Sequence, residues 1–221
     1  MSGEQAQPAI AAIILGAGTS SRMGEHKLLL PLGGKPLIAW SVAAACASSA
    51  RPVVVALGRA AEVVAGEVTA ALPGASYSVV VNRRFAQGMG TSLALAIASL
   101  PAGVSGALIL LGDQPFMPTA AIEAVLAAAR AQPERIAMGG YAGNGRRRGH
   151  PVYLPRRVFA ELLALGDDEG ARTIIAQAGN NLTLIPIADD TALLDVDTPE
   201  DYQRAQPLAE RLTQSAENTP S

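Results

Sequence analysis

The stretch "GAGTSSRMGEHK", from Gly16 to Lys27, brings together the residue types that bind phosphate groups. Gly16, Ala17 and Gly18 allow the backbone to approach a ligand closely, and successive backbone N–H groups in such a loop can surround an anion. Arg22 offers a planar guanidinium that matches phosphate oxygens, and Lys27 adds a compact positive charge. The loop is therefore predicted to bind the phosphates of a nucleotide, the alternative being a tight turn with solvated charges.

Lysine usage supports this interpretation. The chain has 17 basic residues, of which only Lys27 and Lys35 are lysines, and both lie in or beside this loop. An ammonium group is more compact than a guanidinium, which suggests that Lys27 fits a confined place between phosphate oxygens. Two lysines can also cluster by chance, so the pattern supports the hypothesis without carrying it alone.

Acidic residues follow two apolar segments further along the chain. Asp113 closes "GALILLGD", while Asp195 and Asp197 lie in "LLDVD". Asp113 is expected at the carboxyl edge of a parallel sheet, where α/β proteins bind their ligands. Asp195 and Asp197 are two residues apart, so in a strand their side chains would share a face. These carboxylates could hold a metal ion, although Asp113 could also cap a helix and Asp197 could belong to the start of the last helix. As the partner of Asp113 we favour Asp197, with Asp195 as the alternative.

Two common phosphate-binding motifs do not fit the glycine-rich loop. A dinucleotide fingerprint needs a third glycine where Ser21 stands, and no acidic residue closes the next strand, "PVVVALG". A P-loop needs a lysine directly after its second glycine and then Ser or Thr, but Gly24 is followed by Glu25 and Lys27 by Leu28. A dinucleotide-dependent oxidoreductase is therefore disfavoured.

The elements that must position these residues alternate between apolar strands and helical patterns. Strands are predicted over residues 9–15, 52–58, 77–82 and 106–113. Helices are predicted over residues 36–49, from after 58 to about 72, over 91–99 and over 118–131. This order predicts an α/β fold with a mostly parallel sheet and helices on both faces.

The second part of the chain has a different texture. "RIAMGGYAGNGRRRGHPVYLP" predicts a β-hairpin around the turn Asn144-Gly145. Two short helices are expected, one from near residue 155 and one over 169–179, followed by possible strands over 181–187 and 192–196. Thr198, as N-cap before Pro199, begins the last helix. The residues after about 213 are expected to fray.

Composition limits the remaining classes of protein. The chain has 221 residues, 49% of them apolar and 16% charged, which indicates one globular domain with a sizeable core. A net charge of −2 argues against nucleic-acid binding. No apolar run is long enough for a membrane span, and the N-terminus lacks the pattern of a secretory signal. We therefore expect a cytoplasmic protein without a membrane or nucleic-acid partner.

The loop and several later segments match the pattern of a known family. "LGAGTSSRMGEHKLLLPLGGKPL" resembles the signature L-A-A-G-x-S-x-R-M-G-x-x-K-L-L-L-P-L-x-G-K-P-L of nucleotidyltransferases that attach a nucleotide to molybdopterin. The chain is most similar to the molybdenum cofactor cytidylyltransferases. The resemblance extends through "GMGTSL", "LGDQP", "GHPV", "GDDEGAR" and "DVDTPEDY", and so covers nearly the whole chain. Gly16 stands where alanine is commoner, a change that we expect to cost little.

The resemblance implies a Rossmann-like, GT-A-like three-layer nucleotidyltransferase fold with a small β-hairpin extension. It implies a single domain over residues 9–212, with a nucleotide-binding part (9–134) and an acceptor-binding part (135–212), between a flexible N-terminus (1–8) and a flexible tail (213–221). It also implies roles for individual residues. The catalytic residues would be Arg22, Lys27 and Asp113; the nucleotide-binding residues Leu15, Gly16, Ala17, Gly18, Ser20, Arg22, Lys27, Gly88 and Ser92; the metal ligands Asp113 and Asp197; and the acceptor-binding residues Arg147, Arg148, Gly149 and His150.

The activity that the resemblance implies is transfer of CMP from CTP to the phosphate of molybdopterin or the molybdenum cofactor, with Mg²⁺ as cofactor and release of pyrophosphate. The product would pass to a molybdenum hydroxylase. Two other functions stay open: a transferase of the same fold that uses GTP or another phosphate acceptor, and a carrier that binds finished cofactor without catalysis. Only the transferases require Asp113 with an acidic partner.

Overall fold

The computed structural model describes residues 8–17, 27–141, 147–164 and 170–217. The strands of this part are β1 (Ile10–Gly16), β2 (Pro31–Leu32), β3 (Lys35–Pro36), β4 (Val53–Leu57), β5 (Ser78–Val81), β6 (Gly106–Leu111), β7 (Ile136–Tyr141), β8 (Arg147–Pro155) and β9 (Leu182–Pro186). The helices are α1 (Leu37–Ala47), α2 (Ala61–Ala71), α3 (Met89–Ala98), α4 (Thr119–Ala131), α5 (Phe159–Ala164), α6 (Gly170–Gln177) and α7 (Pro199–Glu217).

The central sheet has the strand order β5-β4-β1-β6-β8-β7-β9. Strands β5, β4, β1 and β6 pair in parallel. Strand β8 is antiparallel to both of its neighbours, β6 and β7, while β9 is parallel to β7. All strands of the sheet except β8 therefore run the same way, which confirms the predicted α/β fold with a mostly parallel sheet.

Helices cover both faces of the sheet because its central strands are apolar on both sides. In β1, Ala12 and Ile14 belong to the core cluster that contains α1, α2, α4 and α7. Ala11 and Ile13 belong to the opposite cluster, with α3, α5 and α6. Side chains alternate between the faces of a strand, so a strand buried on both faces has a continuous apolar sequence. The predicted three-layer arrangement follows from this pattern.

The predicted strands and helices of residues 9–131 are all present, with ends shifted by at most two residues. The strands of the predicted hairpin are β7 and β8, which extend the central sheet; the turn at Asn144-Gly145 lies outside the described residues. Strands β2 and β3 form a separate two-stranded sheet that was not predicted. Among the described residues, none of the helices combines the length and apolar character needed to cross a membrane.

One prediction about the last quarter of the chain is wrong. Residues 192–196 do not form a strand: a 3-10 turn covers Asp190–Leu193 and irregular backbone follows, with Ala192 and Val196 buried in the core. The apolar residues of this segment are buried at two separate points and do not alternate as in a strand. Helix α7 continues to Glu217, past residue 213, and the flexibility expected of the tail stays a prediction. Residues 1–7 and 218–221 lie outside the described part.

Candidate active site

A buried lysine joins two carboxylates that are distant in the sequence. Lys27 lies in a 3-10 turn after the glycine-rich loop and is 6% exposed. Its Nζ donates hydrogen bonds to Asp113 Oδ2 and Asp197 Oδ1, both at 2.6 Å. Burial alone would lower the pKa of Lys27, but the two carboxylates outweigh it and raise the pKa. The ammonium therefore stays charged, and three predicted site residues form one cluster.

Hydrogen bonds from Ser41 and Val196 hold the turn that carries Asp113 at the carboxyl edge of the sheet. Strand β6 ends at Leu111, two residues before Asp113 and not at Asp113 itself. Ser41 Oγ donates to two backbone carbonyls of this turn, at 3.0 and 3.1 Å. The backbone N–H of Val196 donates to the carbonyl oxygen of Asp113 at 3.0 Å. This last bond attaches the segment 195–197 beside Asp113, although that segment is not the predicted strand.

The two acids of this segment have different partners. Asp195 Oδ1 accepts a hydrogen bond from Gln114 Nε2 at 2.8 Å, and burial raises the pKa of Asp195. Asp197 shares the ammonium of Lys27 with Asp113, and half of its side chain is exposed. The geometry thus pairs Asp113 with Asp197, whereas Asp195 is held by Gln114.

The chemistry of the Asp113–Asp197 pair fits a divalent cation. Asp113 Oδ1 is buried and has no hydrogen-bond partner among the described residues, and such an oxygen is costly unless a cation or water meets it. The ammonium of Lys27 already places one positive charge between the two carboxylates. Magnesium prefers oxygen ligands and is often held by one or two carboxylates together with substrate phosphates. Within the described ranges, no three acids, histidines or cysteines group closely enough to bind a metal alone.

The described residues of the glycine-rich loop lie at the end of β1. Leu15 lines a large cavity and Ala17 is nearly buried. A Cβ at Gly16 would lie 2.8 Å from Ile38 Cδ1 and 3.1 Å from Leu57 Cδ2. These atoms are the ends of flexible side chains that can shift, so a larger residue at this position would require a small adjustment of the core. The predicted residues Gly18, Ser20 and Arg22 lie outside the described part of the chain.

Two predicted nucleotide contacts, Gly88 and Ser92, lie at the start of α3. Ser92 is fully buried, and its hydroxyl accepts a hydrogen bond from Asn82 Nδ2 at 2.8 Å, so this side chain supports α3 and its contact with a nucleotide stays a prediction. Gly88, just before α3, has φ of 119°, a backbone conformation that favours glycine. Met89 and Gly90, the next residues, line the cavity, so the loop still borders it.

A cavity of about 710 Å³ lies beside the charged cluster. All four residues predicted to bind the acceptor line it: Arg147, Arg148, Gly149 and His150. Its apolar wall comes from strands β1, β6, β7 and β8 and from helices α3 and α6, and includes Leu15, Leu93, Ile109, Leu111, Met138, Val152 and Ile175. The cavity can therefore hold a ligand with an anionic group and a broad apolar surface.

His150 is a neutral hydrogen-bonding group in this cavity. Burial lowers its pKa to about 4, with Asp113 opposing the shift and Arg172 adding to it. The positive charge for an anionic ligand must then come from arginines and not from His150. At Gly149, beside it, a Cβ would lie 2.4 Å from Leu193 Cδ2, so a side chain here would require Leu193 to shift.

Two cavity residues were missed by the sequence analysis. Arg172 on α6 and Gln114 after Asp113 both line the cavity. Arg172 belongs to the motif "GDDEGAR" and Gln114 to the motif "LGDQP". In each motif a basic or amide side chain lies close to acidic residues, and that proximity could have indicated a ligand-binding role. Lys35, in contrast, lies apart from the cluster, with its Nζ 3.9 Å from the centre of the Trp40 ring.

Comparisons with known proteins agree with this geometry. Residues 12–182 match the model of the MobA-like NTP transferase domain. The purine catabolism protein PucB of Bacillus subtilis is 30% identical over 200 residues, which cover 88% of this chain and 95% of PucB. The bifunctional protein GlmU of Pelobacter propionicus is 38% identical over 133 residues, or 56% of this chain, and the match spans only about a quarter of GlmU (26%).

Solved structures show the same fold. The crystal structure of Rv0371c from Mycobacterium tuberculosis superposes with a TM-score of 0.78 and 28% identity, covering 91% of this chain and all of that one (100%). Its complex with manganese superposes with a TM-score of 0.72 and 27% identity, covering 90% of this chain and 98% of that one.

Proposed function

The chain belongs to the MobA-like NTP transferase family, and from that premise we propose that it transfers CMP from CTP to the phosphate of molybdopterin or the molybdenum cofactor. That it is a nucleotidyltransferase follows from the family and the fold. The proposal concerns the two substrates, the metal and the site residues. The observation that carries it is the cluster of Lys27, Asp113 and Asp197 at the edge of a cavity lined by arginines.

The cavity supports an acceptor of the molybdopterin type. Arg147, Arg148 and Arg172 supply positive charge for its phosphate, and the apolar wall suits a flat ring system. Neutral His150 adds a hydrogen-bonding group for polar atoms of the ring. Because the cavity borders the charged cluster through Gln114 and Asp195, an acceptor phosphate held there would lie beside the nucleotide phosphates.

The reaction needs little proton transfer. A phosphate monoester is already an anion at neutral pH, so its oxygen can form a bond to the α-phosphorus of CTP without a general base, as the bond from that phosphorus to pyrophosphate breaks. The obstacle is repulsion between anions, and Lys27 and Arg22 would offset it by stabilising the charge on the departing pyrophosphate. The site residues would hold both substrates in line.

Asp113 and Asp197 would hold the magnesium ion, which when bound neutralises charge on the phosphates. The preference of carboxylate oxygens for hard cations supports this assignment, as does the unpartnered Oδ1 of Asp113. The manganese complex of Rv0371c, a structure of the same fold, is consistent with a divalent metal.

The product would be a cytosine dinucleotide form of the cofactor, passed to a molybdenum hydroxylase. The name of PucB, a purine catabolism protein that aligns with most of this chain, is consistent with a receiving enzyme in purine breakdown. The cytoplasmic location expected from the sequence stays a prediction.

The proposal is tested by measuring pyrophosphate release with each nucleoside triphosphate, with and without molybdopterin. We expect release that requires both CTP and molybdopterin. A parallel reaction with a sugar phosphate tests a different phosphate acceptor for a transferase of the same fold. Release with the sugar phosphate alone would replace the proposed acceptor, and binding of cofactor without any release would favour a carrier.

CTP should be preferred over GTP, because the methyl group of Ala17 narrows a loop that passes close to the nucleotide. Ala17 is nearly buried at the end of β1, directly before the rest of the glycine-rich loop. One methyl group is worth about 1–3 kcal/mol of discrimination, or roughly 10- to 200-fold. Ala17→Gly should therefore relax the ratio of kcat/KM for CTP and GTP only in part. A preference for GTP in the unmodified protein would contradict the cytidylyl assignment and leave the reaction class standing.

Replacing Arg147 and Arg148 by alanine should raise the KM for molybdopterin about tenfold or more and change the KM for CTP little, since a charged hydrogen bond is worth about 1.5–3 kcal/mol. Both side chains are exposed at the cavity, and Arg147 has only a loose ion pair, at 3.9 Å, with exposed Asp190. The matched control replaces Arg156 and Arg157, exposed arginines just after the other end of β8 that do not line the cavity. An equal rise in both KM values would assign Arg147 and Arg148 to the triphosphate or to stability.

A further inference from the structure

We infer that Lys27 occupies the place of the metal ion in the nucleotide-free protein and must leave it before a metal can bind. The inference rests on the metal assignment of the proposed function and concerns how that site is loaded. In this account Lys27 is the internal counter-ion of Asp113 and Asp197. Metal and nucleotide then bind as a coupled pair, because the nucleotide gives the displaced ammonium a new partner.

The first step is the competition between the ammonium of Lys27 and a metal ion, and it follows from the contacts of the ammonium. Nζ of Lys27 lies 2.6 Å from Oδ2 of Asp113 and 2.6 Å from Oδ1 of Asp197, so its charge stands between the two carboxylates that would hold the metal. A magnesium ion lies about 2.1 Å from its oxygen ligands, which would put it within about 5 Å of an ammonium that stayed in place. Two cations at that distance in a partly buried site repel each other strongly. The metal and the ammonium therefore compete for the same pair of acids.

The second step is the movement of the ammonium away from the carboxylates, and it depends on the burial and the flexibility of the Lys27 side chain. Lys27 is 6% exposed, so its charge cannot be screened by water where it stands. A lysine has a flexible stem of four carbons, and its ammonium can rotate to another acceptor without moving the backbone. The triphosphate of a bound nucleotide would offer such acceptors beside the glycine-rich loop. The nucleotide would thus release the acids at the moment when its own phosphates complete the coordination of the metal.

The described residues also explain why metal alone should bind weakly. No third acid, histidine or cysteine in the described part completes a metal site with Asp113 and Asp197. Asp195, the nearest further acid in sequence, is held by Gln114. A metal ion entering without nucleotide would have to displace Lys27 and would gain only two carboxylates in return.

The test is the affinity of the nucleotide-free protein for Mn²⁺, measured by calorimetry or by the electron paramagnetic resonance signal of free Mn²⁺. We expect weak binding to the unmodified protein and binding at least about tenfold tighter in Lys27→Met, where the competing charge is gone. Lys27→Arg keeps the charge and should not show the gain. Lys35→Met, at the only other lysine, is the matched control and should behave as the unmodified protein.

A second measurement uses the unmodified protein and so does not depend on the folding of a variant. Because the chain has only two lysines, nuclear magnetic resonance of the lysine Nζ groups gives one signal for Lys27 and one for Lys35. The signal of Lys35 serves as an internal reference. Saturating Mg²⁺ should move the Lys27 signal and leave the Lys35 signal in place. Unchanged Mn²⁺ affinity in folded Lys27→Met, or an Mg²⁺ titration that leaves the Lys27 signal unmoved, would overturn the inference. Neither measurement involves turnover, so that failure would not touch the proposed transfer reaction.

Discussion

Replacing Asp113 by asparagine should reduce turnover by about a thousandfold while the protein stays folded. The substitution keeps the size of the side chain and removes its negative charge. One hydrogen bond to Lys27 loses its ionic character, and Oδ1, which has no other partner in the described part, no longer attracts a cation. Lys27 keeps Asp197 as a counter-ion and the turn keeps its backbone hydrogen bonds, so the fold should persist.

Kinetics at saturating Mg²⁺, combined with thermal unfolding, measures this effect. Asp197→Asn should also lower turnover severely, because Asp197 shares the ammonium with Asp113. Asp195→Asn is the matched control: the same change two residues away, at an acid that is held by Gln114. Near-normal, magnesium-dependent turnover of Asp113→Asn would show that Asp113 is not a metal ligand. A larger loss of turnover in Asp195→Asn than in Asp197→Asn would assign the second metal ligand to Asp195 instead of Asp197.

The layers of the fold were predictable from local patterns. A run such as that of β1 is apolar at every position because it is buried on both faces, and its alternation with helical segments leaves few topologies. What the sequence could not predict is how β8 enters the sheet antiparallel to β6, since strand pairing across about 40 residues is not a local property. The strand predicted over residues 192–196 failed for a related reason: burial of Ala192 and Val196 imitates the apolar character of a strand.

The residue types of the candidate site were predictable, but their partners were not. Asp113 and Lys27 could be chosen from their places after an apolar strand and in a glycine-rich loop. Their direct contact joins positions 86 residues apart, and the contact of Lys27 with Asp197 joins positions 170 apart. Only the tertiary fold could bring these groups together. The partner of Ser92 was equally out of reach, because its hydrogen bond with Asn82 joins two segments whose contact the sequence does not state.

The two lysines, which look equivalent in the sequence, lie in different surroundings. Lys35 lies over the ring of Trp40, and burial lowers its pKa with no carboxylate to oppose the shift. Lys27 lies between two carboxylates, and its pKa is raised. The clustering of both in one segment therefore has two separate causes, of which only the one at Lys27 bears on the proposed reaction. This difference makes the same substitution at both lysines a controlled experiment.

Lys27→Arg should lower kcat/KM for the nucleotide by roughly a hundredfold, although it preserves the charge. The space around Nζ is set by two carboxylate oxygens at 2.6 Å, and the residue is almost fully buried. A guanidinium is larger and planar, so it would hold the two carboxylates more rigidly and enter the triphosphate site less readily. Steady-state kinetics with varied CTP measures the loss. The control Lys35→Arg should keep the kcat/KM of the unmodified protein, because arginine also stacks on a tryptophan ring. If Lys27→Arg has unchanged kinetics, the compact ammonium is not needed at this position. Its placement between Asp113 and Asp197 would then serve stability alone.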